Sequence, residues 1–362
     1  MNAAAILVVS STAILVYVLL VYPLLTGLAA RLFPRPVRRS SWTPTVTALI
    51  PVRNGERYIE RKIATLAALD YPPELLQVLF LSDGSTDRTA DLIRQAANPR
   101  FTVLELPSGG KAAALTAGLS HATGEVLLFT DIRQELSPNA LTELTAWLAD
   151  PTVGVVSGEL IIRNATTREE QNTGLYWKIE KWIRQQVCAT GSFPGATGAL
   201  YAMRRTLARP LPPHTLLDDV YLPLCAYFAG FRIVFASAAK AYDEPVALTG
   251  EFWRKVRTQA GVYQIIAQFP QLLWPVHGIW WHFVSHKLGR LLLPFALLTI
   301  AAATGFLPDP WRTILAIGQA LFYAVAALGT PARTFVVLMA AALTGATILF
   351  RPARAFWPPA KR

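Results

Sequence analysis

Two adjacent acids, Asp218 and Asp219, stand at the predicted start of a helix in HTLLDDVYLPL. A carboxylate beside another carboxylate, or in an apolar pocket, has a raised pKa and can act as the general base that deprotonates a hydroxyl group. The structural alternative is that two acids in the first turn complement the helix dipole. The pair is therefore a candidate catalytic site for transfer of a group to a hydroxyl.

The segment FTDIRQ offers a second acidic position, Asp131, followed two residues later by a cation, Arg133. We consider three roles for Arg133: to contact a leaving diphosphate beside a metal held by Asp131, to replace the metal together with Lys111 and Arg257, or to form a structural ion pair with Glu135 or Asp131. We favour the first, because three cations would otherwise neutralise a diphosphate without the geometry that a metal imposes. Mg²⁺ often takes one or two carboxylates with phosphates and waters.

Further polar residues are typical of phosphate and nucleotide binding. Lys111 opens a predicted helix, where a cation opposes the dipole and a phosphate partner would explain it, although a lone surface lysine is the alternative. Asp83, before Gly84 in SDGSTD, can accept hydrogen bonds from a base or ribose, or form a plain Asp-Gly turn. Arg254 and Arg257 share one helical face and can fork onto phosphates or bind lipid headgroups.

The elements that carry these residues predict an α/β domain. Short apolar runs, TVTALIPV, LLQVLFLS, FTVLEL, EVLLFT and VGVVSGEL, alternate with predicted helices at about 58–69, 86–97, 111–122 and 137–150. This alternation predicts a doubly wound, mostly parallel sheet, whose ligands bind beyond the carboxyl ends of the strands. RNGE, SDGSTD and TDIRQ follow the first, second and fourth runs. The pattern therefore predicts a nucleotide site.

Apolar segments flank this domain. The first 30 residues carry no charged side chain, which predicts a transmembrane helix over residues 1–32. The apolar run is too long for a cleaved signal peptide, and basic residues follow it, which places the next segment in the cytoplasm. Three apolar segments, about 291–307, 313–332 and 334–350, occur near the C-terminus.

We accordingly divide the chain into a transmembrane helix (1–32), a cytoplasmic catalytic domain (43–250), amphipathic interface helices (251–287), C-terminal transmembrane helices (288–350) and a basic tail (351–362). Trp274, Trp280 and Trp281 are predicted to lie in an interfacial belt. If all three C-terminal segments span, the basic tail lies outside. If one is re-entrant, the tail stays inside.

The formal charge of +11 suits an anionic partner, namely a phosphate-rich substrate, an acidic bilayer surface or nucleic acid. Nucleic acid has the basic charge alone in its favour, and the cations flank apolar segments, so we predict no nucleic-acid partner. Cys188 and Cys225 lack metal or disulfide spacing and are interpreted as buried thiols.

In this order, the motifs ALIPVRNGE, DGSTD, GGKAAALTAGL, TDIRQ, the DD pair and RKVRT resemble those of membrane-bound family 2 glycosyltransferases. That group includes cellulose, hyaluronan and poly-N-acetylglucosamine synthases, and the resemblance covers about Val46 to Arg290. It implies a GT-A fold and an inverting transfer from a nucleotide-diphosphate sugar, expected to be a UDP-sugar, to a polysaccharide or lipid-linked acceptor. The expected location is the bacterial inner membrane, with the catalytic domain in the cytoplasm and the bilayer as a partner.

The resemblance also implies roles for individual residues. Asp219 is expected to be the general base, with Asp218 beside it. The expected nucleotide-sugar contacts are Pro51, Asp83, Lys111, Asp131, Arg133, Arg254 and Arg257. Asp131 is the expected ligand of Mg²⁺ or Mn²⁺.

Two departures from the family pattern limit what the resemblance implies. Arg133 replaces the second carboxylate of the DxD motif, which leaves metal use open. Thr258 replaces a Trp that seats the acceptor sugar in processive synthases, which favours a short or lipid-bound product. A pseudoenzyme that binds nucleotide sugar as a sensor or assembly subunit is the alternative, although the intact acidic pair argues against it.

Overall fold

A computed structural model of the chain describes residues 2–163, 168–244, 248–328 and 331–356. The chain divides into two compact units. The sheet unit comprises Arg35–Arg163 and Cys188–Glu244, and the helical unit comprises Met1–Pro34, Asn164–Val187 and Pro245–Arg362. The described residues 168–187 therefore belong to the helical unit, although they were predicted to lie within the catalytic domain of 43–250.

The strands are β1 (Val46–Val52), β2 (Leu76–Asp83), β3 (Phe101–Leu106), β4 (Val126–Phe129), β5 (Glu135–Leu136), β6 (Val153–Ile162), β7 (Tyr201–Arg204) and β8 (Arg232–Asp243). Their order in the sheet is β3-β2-β1-β4-β7-β6-β8-β5. The first four strands in this order run parallel, β7 is antiparallel to both β4 and β6, β8 is parallel to β6, and β5 is antiparallel to β8. The predicted α/β fold with a mostly parallel sheet is confirmed.

The helices are α1 (Ala3–Val16), α2 (Tyr22–Leu32), α3 (Glu56–Ala67), α4 (Thr89–Gln95), α5 (Lys111–His121), α6 (Ala140–Leu148), α7 (Arg168–Thr190), α8 (Asp218–Phe228), α9 (Leu248–Gln268), α10 (Trp280–His282), α11 (Gly289–Thr304), α12 (Trp311–Ala327) and α13 (Pro331–Ala346). π-Helical segments at Tyr17–Val21 and Phe283–Leu288 join α1 to α2 and α10 to α11.

The core of the sheet unit lies on both faces of the sheet. Along β1, Ala48 and Ile50 pack in one hydrophobic cluster and Leu49 packs in the other, and all three are fully buried. Central strands covered on both faces read as continuous apolar runs, which is why β1, β2 and β4 were visible in the sequence, whereas β3 lies at the sheet edge and is only partly buried. Each fully buried Leu or Ile contributes about 1.5–3 kcal/mol relative to its exposed state. This packing fixes the strand ends that carry the polar motifs.

Among the described residues of the helical unit, three helices are long and apolar enough to cross a membrane: Ala3–Leu32, Trp280–Thr304 and Ala332–Leu349. Trp311–Ala327 is a shorter apolar helix. The second of the three long helices begins at Trp280. The boundary predicted at residue 287, between the interface helices and the C-terminal transmembrane helices, therefore falls inside this helix. Of the predicted tail, residues 357–362 lie outside the described part of the chain.

Polar side chains join the long helices of the helical unit. The Tyr17 hydroxyl lies 2.8 Å from Ser285 Oγ, and Arg290 Nη2 lies 2.6 Å from Glu180 Oε2. A Cβ added at Gly27 would stand 2.9 Å from the Trp182 ring, so α7 approaches α2 closely at this glycine. Hydrogen bonds and small residues allow helices to pack closely, and both are common between the helices of membrane proteins.

Candidate active site

The loops that follow β1 and β2 are tied to each other. Asn54 has a φ of 50°, and its Oδ1 accepts a hydrogen bond of 2.8 Å from the Thr86 N–H. The Glu56 N–H donates to Asp87 Oδ2 at 3.0 Å. RNGE and most of SDGSTD thus have a structural role, because each motif satisfies backbone donors of the other.

Asp83, at the end of β2, holds the turn that begins α5. Its Oδ1 accepts hydrogen bonds from the N–H groups of Gly109 at 2.7 Å and Gly110 at 2.9 Å. The turn needs glycine, because Gly110 has a φ of 84°. Asp83 is 5% exposed and positions the first residue of α5, Lys111. Its predicted contact with a base or ribose stays a prediction.

Lys111 is the centre of the site, because its ammonium joins carboxylates that are far apart in sequence. Lys111 Nζ lies 2.9 Å from Asp131 Oδ1 and 3.2 Å from Asp218 Oδ1. Burial lowers the pKa of Lys111, but the carboxylates of Asp131, Asp218 and Asp219 outweigh it and raise that pKa above its ordinary value. The lysine therefore stays charged, and it holds the two motifs FTDIRQ and DD together.

The two acids of the DD pair differ in their surroundings. Asp218 is buried against Lys111, whereas Asp219 is half-buried, and its Oδ2 accepts a hydrogen bond of 2.9 Å from the Gly198 N–H. A Cβ at Gly198 would stand 3.3 Å from that oxygen and 3.7 Å from Lys111 Nζ, so glycine permits the close approach. Gly198 was not among the predicted site residues, although the run GSFPGATGAL, just before β7, is rich in glycine.

An aromatic pair lies near the carboxylates. Tyr201, the first residue of β7, is paired in register with Phe129 of β4, and their rings stack with centroids 4.4 Å apart. The Tyr201 hydroxyl is buried and has no hydrogen-bond partner within the described residues. Burial, reinforced by the carboxylates of Asp218, Asp219 and Asp131, raises the pKa of this hydroxyl well above its usual value. The tyrosine was missed because β7 was not predicted.

Arg133 forms an ion pair with Asp243, the last residue of β8, through Nη2 and Oδ2. The same carboxylate oxygen accepts a hydrogen bond of 2.9 Å from Gln134 Nε2, and Asp243 is 4% exposed. The expected partners of a structural ion pair, Glu135 and Asp131, are therefore wrong: Glu135 instead pairs with other arginines, and Asp131 with the lysine of α5. The sequence could not indicate a partner 110 positions away.

We expect Arg133→Asp to lower the stability of the sheet unit by about 2 kcal/mol, because it places a second carboxylate against buried Asp243. The value is below that of a fully buried pair, since the Arg133 side chain is 34% exposed. Thermal unfolding of the single variant and of Arg133→Asp/Asp243→Asn would check this. The double variant should recover most of the loss. An Arg133→Asp protein as stable as wild type would show that the ion pair contributes nothing.

The donor set around Asp131 suits a divalent ion that takes most of its ligands from substrate and water. No group of three His, Cys, Asp or Glu residues that could hold a metal occurs within the described residues. Asp131 offers hard carboxylate oxygens, which Mg²⁺ and Mn²⁺ accept together with phosphate oxygens. The residues therefore fit a metal bound with a diphosphate, and do not form a closed metal site on their own.

The remaining predicted site residues lie on β1 and α9. Pro51 lies in β1, paired in register with Leu81 of β2, one residue before the strand ends. Arg254 and Arg257 lie on α9 of the helical unit, and their predicted contact with the diphosphate stays a prediction. Lys62, which was not predicted, is buried in α3 next to the loop of FTDIRQ.

Comparison with known proteins gives a family match. Residues 47–211 match the family model described as glycosyl transferase family 2. The chain is 25% identical over 247 residues to the probable glycosyltransferase YdaM of Bacillus subtilis (strain 168), covering 62% of this chain and 57% of that protein. It is 25% identical over 308 residues to an N-acetylglucosaminyltransferase of Sinorhizobium fredii (strain NBRC 101917 / NGR234), covering 78% and 74%. The chain thus spans from about half to three quarters of these relatives' lengths.

Among solved structures, the chain is similar to the mannosyltransferase PcManGT from Pyrobaculum calidifontis, which was solved in complex with GDP-Man and Mn²⁺. The TM-score is 0.77 at 25% sequence identity, and the match covers 95% of this chain and 99% of that one. The predicted GT-A fold, with accompanying apolar helices, is confirmed by this likeness and the family match.

Proposed function

We propose that this chain, which carries a glycosyl transferase family 2 domain over residues 47–211, transfers a sugar from a nucleoside-diphosphate sugar to an acceptor hydroxyl group. The observation that carries the proposal is the joining of Asp131 and Asp218 by Lys111. It brings the candidate diphosphate end of the site and the candidate catalytic acids within one hydrogen-bonded cluster.

We assign the general base to Asp219 and an orienting role to Asp218. Asp218 is committed to the Lys111 ammonium, whereas Asp219 is the more exposed acid and is fixed by the Gly198 N–H. In the proposed step, Asp219 takes the proton of the acceptor hydroxyl, and the oxygen attacks the anomeric carbon from the face opposite the diphosphate. The bond from that carbon to the diphosphate oxygen breaks, and the nucleoside diphosphate leaves with inversion at the sugar.

The diphosphate is proposed to bind at Asp131 with Mg²⁺ or Mn²⁺, and with the charge of Lys111 close by. A divalent ion, when bound, supplies positive charge to the leaving oxygens. The proposed donor is a UDP-sugar, as the family resemblance implies, and the GDP-Man of the solved relative makes a GDP-sugar the alternative. The Arg133 guanidinium is paired with Asp243, so we propose that its main role is to hold the conformation of the loop. A contact of Arg133 with the leaving diphosphate is proposed as a lesser role.

The acceptor is proposed to be a lipid-linked molecule or a growing polysaccharide. Three helices of membrane-spanning length support a membrane location, which we propose to be the bacterial inner membrane with the sheet unit in the cytoplasm. Thr258, on α9, stands where processive synthases carry a Trp, and it favours a short or lipid-bound product.

A nucleotide-sugar sensor is the second candidate. It is supported by the segment FTDIRQ, which offers Asp131 as its one carboxylate for a metal and whose Arg133 is engaged with Asp243. It is opposed by the two acids at the start of α8, since a binding module needs no base.

Release of nucleoside diphosphate by the purified full chain would test these proposals. The protein would be incubated with UDP-glucose, UDP-N-acetylglucosamine or GDP-mannose and a membrane lipid extract as the acceptor source, with and without EDTA. We expect release from one donor, loss of release in EDTA, and recovery on addition of Mn²⁺. Tight nucleotide binding without turnover of any donor would favour the sensor. Undiminished turnover in EDTA would overturn the metal assignment.

A further inference from the structure

Lys62 is a charged residue in the apolar stripe of α3. It lies between Ile59 and Leu66 on the buried face of this helix, and its side chain is 1% exposed. Burial of an ammonium group carries a large desolvation cost. That cost lowers the pKa of Lys62 to about 7, against the opposing effect of the Asp131 and Glu135 carboxylates. An aliphatic side chain would pack at this position at lower cost. The presence of a lysine is therefore explained by the contacts that its amino group makes.

Those contacts lie at the two ends of one loop. Lys62 Nζ donates to Thr130 Oγ1 at 3.0 Å and to the Gln134 carbonyl oxygen at 2.8 Å. Thr130 immediately precedes Asp131, and Gln134 immediately follows Arg133. A single buried amino group therefore bonds to both ends of the segment that carries the candidate diphosphate ligand.

The loop has little regular structure of its own to hold it in place. Residues 130–134 lie between β4 and the two-residue strand β5. The Thr130 N–H reaches the Leu49 carbonyl at 3.4 Å, which is a long hydrogen bond. The Gln134 side chain contacts Asp243. The two hydrogen bonds from the Lys62 amino group, at 3.0 and 2.8 Å, thus attach the loop to α3.

We propose that Lys62 is a positioning residue for the donor site: by bonding both ends of the Thr130–Gln134 loop, it fixes Asp131 in the place where Asp131 meets Lys111 and the diphosphate. This inference rests on the proposed function of the site. It assigns a role to a residue of α3 that lies outside the motifs of the sequence analysis, and it makes donor affinity depend on a group buried beneath the site.

The test compares Lys62→Met with Leu66→Ala in the full chain. Methionine fills a similar volume and removes the ammonium. Leu66 lies one turn further along the same buried face and is 1% exposed, so Leu66→Ala loosens α3 and leaves the two hydrogen bonds of Lys62 to the loop in place. The measurements are melting temperature, the KM of the donor, kcat, and the affinity for UDP or GDP with Mn²⁺ by calorimetry.

We expect Lys62→Met to raise the donor KM and weaken nucleotide affinity by about 10- to 100-fold, since small displacements of a binding group have effects of this size. Leu66→Ala should lower the melting temperature and leave the donor KM within about threefold of wild type. A Lys62→Met protein with a donor KM and nucleotide affinity within about threefold of wild type would overturn the proposal. Equal losses of affinity in both variants would also overturn it, because they would point to general loosening of α3.

Thr130→Val is the second variant, and it covers the case in which Lys62→Met does not fold. It removes one acceptor of the ammonium and keeps the lysine in place, so we expect a rise in donor KM of about threefold to tenfold. Unchanged KM and nucleotide affinity in Thr130→Val would overturn the proposal. If wild type turns over no donor, the proposed function fails, and the calorimetric comparison of Lys62→Met with Leu66→Ala still decides the role of Lys62.

Discussion

Asp219→Asn is expected to lower kcat by about 10²- to 10⁴-fold, the range that general-base catalysis contributes. Asparagine keeps the size of the side chain and an oxygen that can accept from the Gly198 N–H. It cannot take a proton from an acceptor hydroxyl at neutral pH. We therefore expect the affinity for nucleoside diphosphate to stay close to that of wild type. Single-turnover transfer and calorimetric nucleotide binding, measured on the same preparation, would separate the two quantities.

Asp218→Asn serves as the matched control for this variant. Asp218 is buried and paired with Lys111, so its change should disturb the cluster and reduce both nucleotide affinity and thermal stability. The contrast between binding retained in Asp219→Asn and binding reduced in Asp218→Asn is what the assignment requires. Transfer by Asp219→Asn at a rate close to wild type would remove this residue from the role of base.

Lys111→Met is expected to reduce kcat/KM by about 10²- to 10³-fold, as does removal of one charge-stabilising donor in other enzymes. The substitution leaves Asp131 and Asp218 without the ammonium that now lies 2.9 Å and 3.2 Å from them. A diphosphate would then approach a more strongly negative group of acids. The loss should appear mainly as a higher donor KM, which steady-state kinetics with saturating acceptor would measure.

Two further variants distinguish charge from geometry at Lys111. Lys111→Arg keeps the positive charge with a different shape and should retain more activity than Lys111→Met. Lys111→Met/Asp131→Asn removes a charge of each sign and should be more stable than Lys111→Met alone, because fewer acids are left uncompensated. Donor kinetics of Lys111→Met that match wild type would contradict the central place given to this lysine.

The parallel half of the sheet could be predicted because its strands are short apolar runs between amphipathic helices. The first run, for example, differs from β1 by one residue, and FTVLEL, although Thr102 and Glu105 interrupt its apolar residues, coincides with β3. The other half could not be predicted in this way. β7 has four residues and β5 has two, and β8 is rich in alanine, so the sequence pattern is weak at each. The long helix α7 is largely polar and was not predicted.

Lys111, Asp131 and the DD pair were singled out in the sequence, and their roles stay predictions, but the contacts among them were not predicted. The sequence placed Asp131 after the fourth apolar run and Lys111 at the start of a helix, and the structure joins them directly. The partner of Arg133 is set by the antiparallel contact of β5 with β8, which no local pattern encodes. Lys62 could have been noticed in the sequence, because it lies between Ile59 and Leu66 on one face of the predicted helix. A lysine at such a position more often extends past the core and keeps its ammonium in solvent.

β4 and β7 meet through four residue pairs, from Val126 with Arg204 to Phe129 with Tyr201. Every strand before Asp131 belongs to the parallel half, and every strand after it belongs to the mixed half. A single crossover near Asp131 would therefore exchange one half of the sheet between related chains and leave the other intact. Each half of the sheet is therefore formed by its own part of the chain, and a chimera joined near Asp131 would keep the strand pairings inside each half and re-form only the contact of β4 with β7.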